Sequence, residues 1–496
     1  MMRDMKKITA PIISIFILAL LAFSAFAATD SVSPDKDLAD GRWTDMAKRY
    51  AIPAMSGGIT DAPKPEVLAS WWDALGDETL TQLITWSLQN NKDLASARAK
   101  IKEARASLGI SKAELLPWLD STSYWYNKRT PADTGGTGRD ADIYRLGVDA
   151  SWEIDVFGGR RQTVKAGQAA LEAQYAAMHS AWVTLSSEVA LDYLTLRTLQ
   201  EQLRIAKENL ALQQETFDLL QSQVDAGLKD QLALNQEKYT LEQTKALIPP
   251  LETSIEQMKN TLAILVGNVP GSLEEILKDA KPLPKLDMGM LIGIPANALR
   301  QRPDIREAER QLAAQIARKK SAKADLWPKF YLLGSIGTES IDSGSLFEGS
   351  AKSYSFGPKI TWPIFHGGAI RNNIRVQTAR QEQYLAAYEQ TVLNAVAEVR
   401  NALTASIQER QRNEALRRGI EAAQAALELA NDRYKNGLTD FNSVISAQRN
   451  LQSLSDAYAI SEGQITSDAV RLFKALGGGW APLAQENSVL AAGDVK

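Results

Sequence analysis

The stretch "YRLGVDASWEIDV", Tyr144 to Val156, decides how the chain is to be read. Tyr144, Leu146, Val148, Ala150, Trp152, Ile154 and Val156 alternate without a break against Arg145, Gly147, Asp149, Ser151, Glu153 and Asp155. A period of two means an extended strand with one apolar and one polar face. An ordinary strand of a soluble protein runs about five or six residues, and this run is about twice as long. A strand that crosses a bilayer needs about 9–11 residues. Tyr and Trp near the ends suit the aromatic girdles at a membrane interface.

The pattern returns from Tyr354, where Phe356, Pro358, Ile360, Trp362 and Ile364 alternate with Ser355, Gly357, Lys359, Thr361 and Pro363. The recurrence belongs to an internal repeat of about 210 residues, too long for a solenoid. Asp93–Trp118 aligns without gaps on Asp304–Lys329, with Lys112/Lys323, Leu115/Leu326 and Pro117/Pro328 among the identities. "QVDAGLKDQLALNQEKYT" (223–240) likewise falls on "RYKNGLTDFNSVISAQRN" (433–450).

Each repeat predicts a helix (94–115 and 304–326) stopped by proline, which a helix interior cannot accommodate. Then come two strands, with β-hairpins over 118–156 and 329–365. "LDSTSYWYNKR" and "FYLLGSIGTES" supply the less regular partner strands, and the joining loops are polar and glycine-rich. After a Gly-Gly pair a very long helix follows (160–226 and 369–436), roughly 100 Å at 1.5 Å per residue. Gly227 and Gly437 end these helices as C-terminal glycines commonly do, and return helices run over 230–265 and 440–476. The Pro249-Pro250 pair predicts a kink. A thin apolar stripe, Leu203, Leu210, Phe217, Leu220 and Val224, would by itself suit a soluble coiled coil.

The strands argue against that. An open sheet edge cannot sit in lipid, so four strands per chain demand closure with other copies. Eight strands make a barrel whose interior is filled by side chains. Three copies give twelve strands and an open lumen, which suits the polar face: Asp149, Ser151, Glu153, Lys359 and Thr361 are the candidate lumen residues. The fold class is therefore an α+β membrane protein, a β-barrel continuous with a long α-helical barrel.

Composition narrows the function. The 56 basic and 59 acidic residues leave a formal net charge of -3, which implies no nucleic-acid surface. The first 27 residues read as a secretory signal: Arg3, Lys6 and Lys7, then "IISIFILALLA", then Ala25-Phe26-Ala27. The chain has no cysteine, which excludes disulfides, thiolate metal sites and a lipidated Cys. Its only histidines are His179, in a long helix where an exposed or interhelical role outweighs general-base work, and His366, at a strand-to-helix turn. No cofactor or dedicated metal site is predicted, and Gly477-Gly478-Gly479 follows a helix where a phosphate loop would precede one. The sequence does not read as an enzyme.

At four places the residues match a known family. "WWDALGDETLTQLITWSLQNNKDLASA" (71–97), "LRQRPDIREAERQL" (299–312), "IPPLE" (248–252) and "YKNGLTDFNSVISAQRNL" (434–451) occur in the order typical of it. The chain resembles the TolC-like outer-membrane factors of tripartite efflux pumps, in the branch serving resistance-nodulation-division pumps.

The resemblance implies a homotrimer in the outer membrane of a Gram-negative-type bacterium, touching lipid at the barrel and extending into the periplasm. Around the two repeats (71–280 and 301–477) it implies equatorial segments at 28–70, 281–300 and 478–496. It implies docking of a periplasmic adaptor protein at Ala226, Gly227 and Leu228 and at Asn436, Gly437 and Leu438, and coupling to an inner-membrane pump. It also implies a periplasmic aperture at Thr439, Asn442 and Ser446, matched in the first repeat by Lys229, Leu232 and Gln236. Relatives often place an acidic ring there, and many carry a lipidated cysteine; this chain departs on both counts. Passive conduction of drugs or other toxic small molecules is the expected function. An exit duct for protein secretion or metal-ion efflux is the alternative, and a periplasmic coiled-coil adaptor a more distant one.

Overall fold

The computed structural model describes residues 70–134, 138–284, 299 and 301–480. Every described residue belongs to one compact unit. The predicted signal segment and nearly all of 28–70, 285–298 and 481–496 lie outside the described residues.

The element order repeats. After a short 3-10 turn at Trp71–Leu75, helices α1 (Glu78–Asn90) and α2 (Lys92–Ala113) lead into strands β1 (Trp118–Arg129) and β2 (Asp140–Ile154). Helix α3 (Gly159–Asp225) and helix α4 (Gln231–Leu265) form the first long hairpin, and one turn, α5 (Glu274–Leu277), follows. The second repeat contains α6 (Pro303–Ala324), β3 (Lys329–Ser340), β4 (Lys352–Thr361), α7 (Ala369–Lys435) and α8 (Phe441–Ala475). α3 and α7 have 67 residues each, and α4 and α8 have 35 each, so the duplication is kept to the residue.

Local chemistry sets these bounds. α3 ends in a left-handed Gly227 (φ 69°), with the Gly227 and Leu228 amides donating to the Val224 and Gln223 carbonyls at 2.9 Å. α7 ends identically at Gly437 (φ 71°), Leu438 reaching back to Arg433 at 2.8 Å. This double bond satisfies two carbonyls left over at a helix end, and a residue without Cβ adopts the required conformation freely. α2 and α6 stop at Ala113 and Ala324, a few residues before the prolines that were predicted to end them, because a tight turn intervenes. The Pro249-Pro250 pair lies inside continuous helix α4. The hydroxyls of Thr253 and Ser254 donate to the two proline carbonyls at 2.9 Å.

The four strands form one antiparallel sheet in the order β1-β2-β3-β4. β2 ends at Ile154 and β4 at Thr361, short of the predicted 156 and 364. The register explains both. Ile154 pairs with Phe330 and Thr361 with Lys329, the first two residues of β3 after Pro328, so the partner backbone runs out within a residue of each end.

The main core lies where α1, α3, α8 and the 273–277 turn meet. Trp71, Leu80, Leu83, Ile84, Tyr193, Leu194, Leu262, Leu273 and Leu277 are fully buried there, each such apolar side chain contributing about 1.5–3 kcal/mol. Trp71 stacks on Phe473 with ring centroids 5.4 Å apart. Below the sheet, α2 packs on α3, α3 on α6, and α6 on α7, as a wall four helices wide. No helix among the described residues is long and apolar enough to cross a membrane.

Candidate functional site

The sheet has two chemically distinct faces. On one, Leu146, Val148 and Ile154 are 42%, 44% and 40% exposed. Cross-strand partners share a face, so Leu119, Ile336, Tyr354, Phe356 and Ile360 join them, and all are exposed. A soluble domain would cover such a face. Here no element of the described chain packs on it.

The opposite face is polar and internally bonded. Arg145 reaches Asp149 at 2.9 Å, Ser335 at 2.6 Å and Glu339 at 3.7 Å, while Thr122 donates to Asp149 at 2.5 Å. The register puts Asp149, Ser151, Glu153, Lys359 and Thr361 all on this face. They differ in availability. Ser151, Lys359 and Thr361 are exposed, Asp149 is held in the network, and Glu153 is tied down by Arg160.

That arginine marks the junction between sheet and helices. Arg160, in the first turn of α3, bridges Glu153 at 2.9 Å and Glu114 at 2.6 Å. Asp155, which the alternation puts on the polar face with Glu153, accepts the Arg160 and Arg161 amides at 3.1 and 2.8 Å. A carboxylate there satisfies helix-end donors and complements the helix dipole, which the glycine at the cap position cannot do. Both repeats also anchor an indole: Trp152 donates to the Leu115 carbonyl at 2.9 Å and Trp362 to Leu326 at 3.1 Å.

At the far end, the two hairpin tips pack on each other. Leu220, Leu234, Phe441, Val444 and Ile445 form a buried cluster, with Phe217, Val224 and Tyr434 against it. Lys229 joins the hairpins by placing Nζ 4.2 Å from the Tyr434 ring centroid. Around this plug the predicted docking residues Ala226, Gly227, Leu228, Asn436, Gly437 and Leu438 are all exposed, Leu228 and Leu438 by 73% and 71%.

Of the predicted aperture residues, Asn442, Ser446 and Leu232 are exposed and Gln236 is half-buried. Thr439 precedes α8 instead of sharing its helical face, and its hydroxyl lies 3.0 Å from that of Ser443. Asp440 caps α8 by accepting the Ser443 amide at 3.1 Å.

Sequence reasoning missed two groups. Glu237 on α4 is fully buried with both carboxyl oxygens unpartnered, and burial pushes its carboxyl up to about 7, opposed by the charge of Arg449 on α8. Arg449 in turn reaches Thr240 at 3.3 Å. Arg302, within the Arg-Pro-Asp-Ile motif, is buried and donates to the Ala475 carbonyl at 2.6 Å while pairing with Asp304 and Glu398. Its counterpart Asn91 donates to the Leu265 carbonyl at 3.0 Å, so both repeats clamp the end of the return helix. His179 is half-buried: it stacks on Trp480, just beyond the end of α8, with centroids 5.4 Å apart, and burial, aided by Arg306, lowers it to about 4. Among the described residues no cluster could hold a metal ion.

A sheet with a bare apolar face, a polar reverse and two long helical hairpins defines a membrane duct of the outer-membrane type. The family model for outer membrane efflux proteins matches residues 83–268 and 294–478, and the chain belongs to that family. It is 30% identical to nodulation protein T of Rhizobium leguminosarum bv. viciae, over 94% of this chain and 93% of that one. It is 32% identical to outer membrane protein OprJ of Pseudomonas aeruginosa, over 83% and 86%. Among solved structures, the outer-membrane channel OprN superposes with a TM-score of 0.79 at 34% identity, covering 83% of this chain and 93% of that chain. The MtrE outer membrane channel of Neisseria gonorrhoeae, in its open state, gives 0.70 at 29%, over 81% and 89%. The protein is thus an outer-membrane component of an efflux pump, its helical part periplasmic.

Proposed function

We propose that three copies close one twelve-stranded barrel and one helical duct, through which small toxic organic molecules leave the periplasm. The observation that carries this is the sheet itself. It exposes its apolar face, and β1 and β4 each leave an edge without a partner among the described residues. In lipid those edges must pair, β1 of one copy with β4 of the next. Two copies would fill their own interior, and three leave a lumen lined by the polar face. Ser151, Lys359 and Thr361 then face water directly.

The exposed tips, with Leu228 and Leu438 outermost, dock the periplasmic adaptor, which links the duct to an inner-membrane pump of the resistance-nodulation-division type. Asn442 and Ser446 line the periplasmic aperture. Relatives named for toluene, antibiotic and pyoverdine transport support small organic cargo over secreted protein. Native mass measurement of the detergent-solubilised protein tests the assembly: a trimer is expected. A stable monomer whose strands remain formed would refute it.

A further inference from the structure

The wall formed by α2, α3, α6 and α7 carries a cleft of about 510 Å³ to which all four helices contribute. Helices packed in a row can share one cleft only on the concave side, since on the convex side they splay apart. A smaller cavity of about 220 Å³ includes Glu153 of the polar strand face and shares Thr163, Ser321 and Asp325 with the first. Through this cavity, at the junction of strand and helix, the cleft reaches Glu153 of the polar face and the Arg160 that holds it.

Two guanidinium groups stand in this cleft, Arg318 from α6 and Arg380 from α7, among the neutral polar groups of Ser111, Thr163, Asn373 and Gln377. Both also line the adjoining cavity of about 360 Å³, so they share one rim. Neither makes a hydrogen bond or an ion pair with any described residue. Asp325 is the one carboxylate in the cleft, and Lys329 neutralises it at 3.0 Å. The other arginines of α6 are engaged: Arg310 pairs with Glu172 and Glu309, and Arg306 lies over the Trp480 ring, 5.4 Å from its centroid.

A guanidinium remains charged throughout the physiological range and presents five donors in a planar fork that fits oxyanions. We propose that this level of the duct is a binding station for anionic groups, namely carboxylates, sulfonates and phosphates on molecules in transit. It sets a preference for anionic cargo. The inference rests on the trimeric duct reading, in which three copies bring six such groups to one level. α6 is flanked on both sides by α3 and α7 of its own chain, so no helix of another copy can lie beside it and cover Arg318.

The test is calorimetric titration of the detergent-solubilised protein with inorganic triphosphate, which requires no open aperture. The parent should bind it, more weakly as salt is raised. R318Q/R380Q should bind at least about tenfold more weakly, since charge-assisted hydrogen bonds are lost, while R318K/R380K retains part of the affinity. Absent binding in the parent, equal binding in R318Q/R380Q, or failure of R318Q alone to assemble would overturn the proposal. Conductance of the parent in planar bilayers reads the duct itself independently, so failure of the station and failure of the duct are told apart.

Discussion

Glu237 should make the hairpin tips sensitive to pH, and the size of the effect follows from its surroundings. The side chain is fully buried where the two return helices run side by side, and neither oxygen has a partner. Burial raises the carboxyl from 4.5 to about 7, so the folded tip binds a proton that the opened tip releases. The sign is that of a raised acid: the tip is most stable below about pH 4.5, and stability is lost as pH rises through about 7. At about 1.4 kcal/mol for each unit of pH, the displacement corresponds to about 3 kcal/mol, or 2–3 once water at the neighbouring surface is allowed for. The assay is hydrogen exchange of residues 231–245 and 441–450 between pH 5 and 8, expressed as protection relative to the unfolded chain. Protection should fall by about 30-fold or more across that window, and Glu237→Gln should flatten the profile. Arg449→Gln removes the one opposing charge and should steepen the loss at pH 8. A parent profile that is flat, or that Glu237→Gln leaves unchanged, would refute the reasoning.

Three further outcomes follow from the same geometry. Val148→Arg places a charge on the apolar face and should cost about 2–4 kcal/mol of assembly, read as loss of detergent-resistant oligomer, while Ser151→Arg on the polar face should be mild; equal defects would invert the face assignment. Arg302→Met strips the Ala475 carbonyl, Asp304 and Glu398 of their shared donor, and should destabilise by about 3 kcal/mol, seen as a lower midpoint in thermal unfolding. The exposed pair Asn442 and Ser446 carries no charge, so parent channels in planar bilayers should resist divalent cations added on the periplasmic side, whereas Ser446→Asp creates a block. Block of the parent at low-millimolar levels would mean that another acidic ring closes the pore.

The strand pattern and the repeat were legible because each rests on local rules. Alternation from Tyr144 to Val156 fixes the faces of β2, and pairing then fixes the faces of its neighbours. A Schellman glycine stops each long helix within a residue of the predicted end. The ends of β2 and β4 were not legible, because they depend on where the partner strand begins, and Pro328 sets that from a distant part of the chain. Nor could Asp155 be recognised as a helix cap, since its alternation with Ile154 and Val156 suits a strand residue equally well.

What the sequence concealed most completely is how differently the two repeats use equivalent positions. Asn91 and Arg302 perform the same clamp with different chemistry, and the arginine alone recruits Glu398 from α7. Lys229 bridges to Tyr434 of the other hairpin, whereas its counterpart Thr439 stays within its own turn at Ser443. Glu237 is buried and ionisable, while the corresponding position of the second repeat is Ala447. At the tips, then, the first hairpin carries the lysine bridge and the buried carboxyl. The second supplies the aromatic ring and Arg449 that answer them, together with the uncharged stripe of Asn442 and Ser446. Such a division makes the contact between the hairpins dependent on charge while leaving the proposed aperture neutral. It is also why Glu237, and not the aperture residues, is where a change of pH should first be felt.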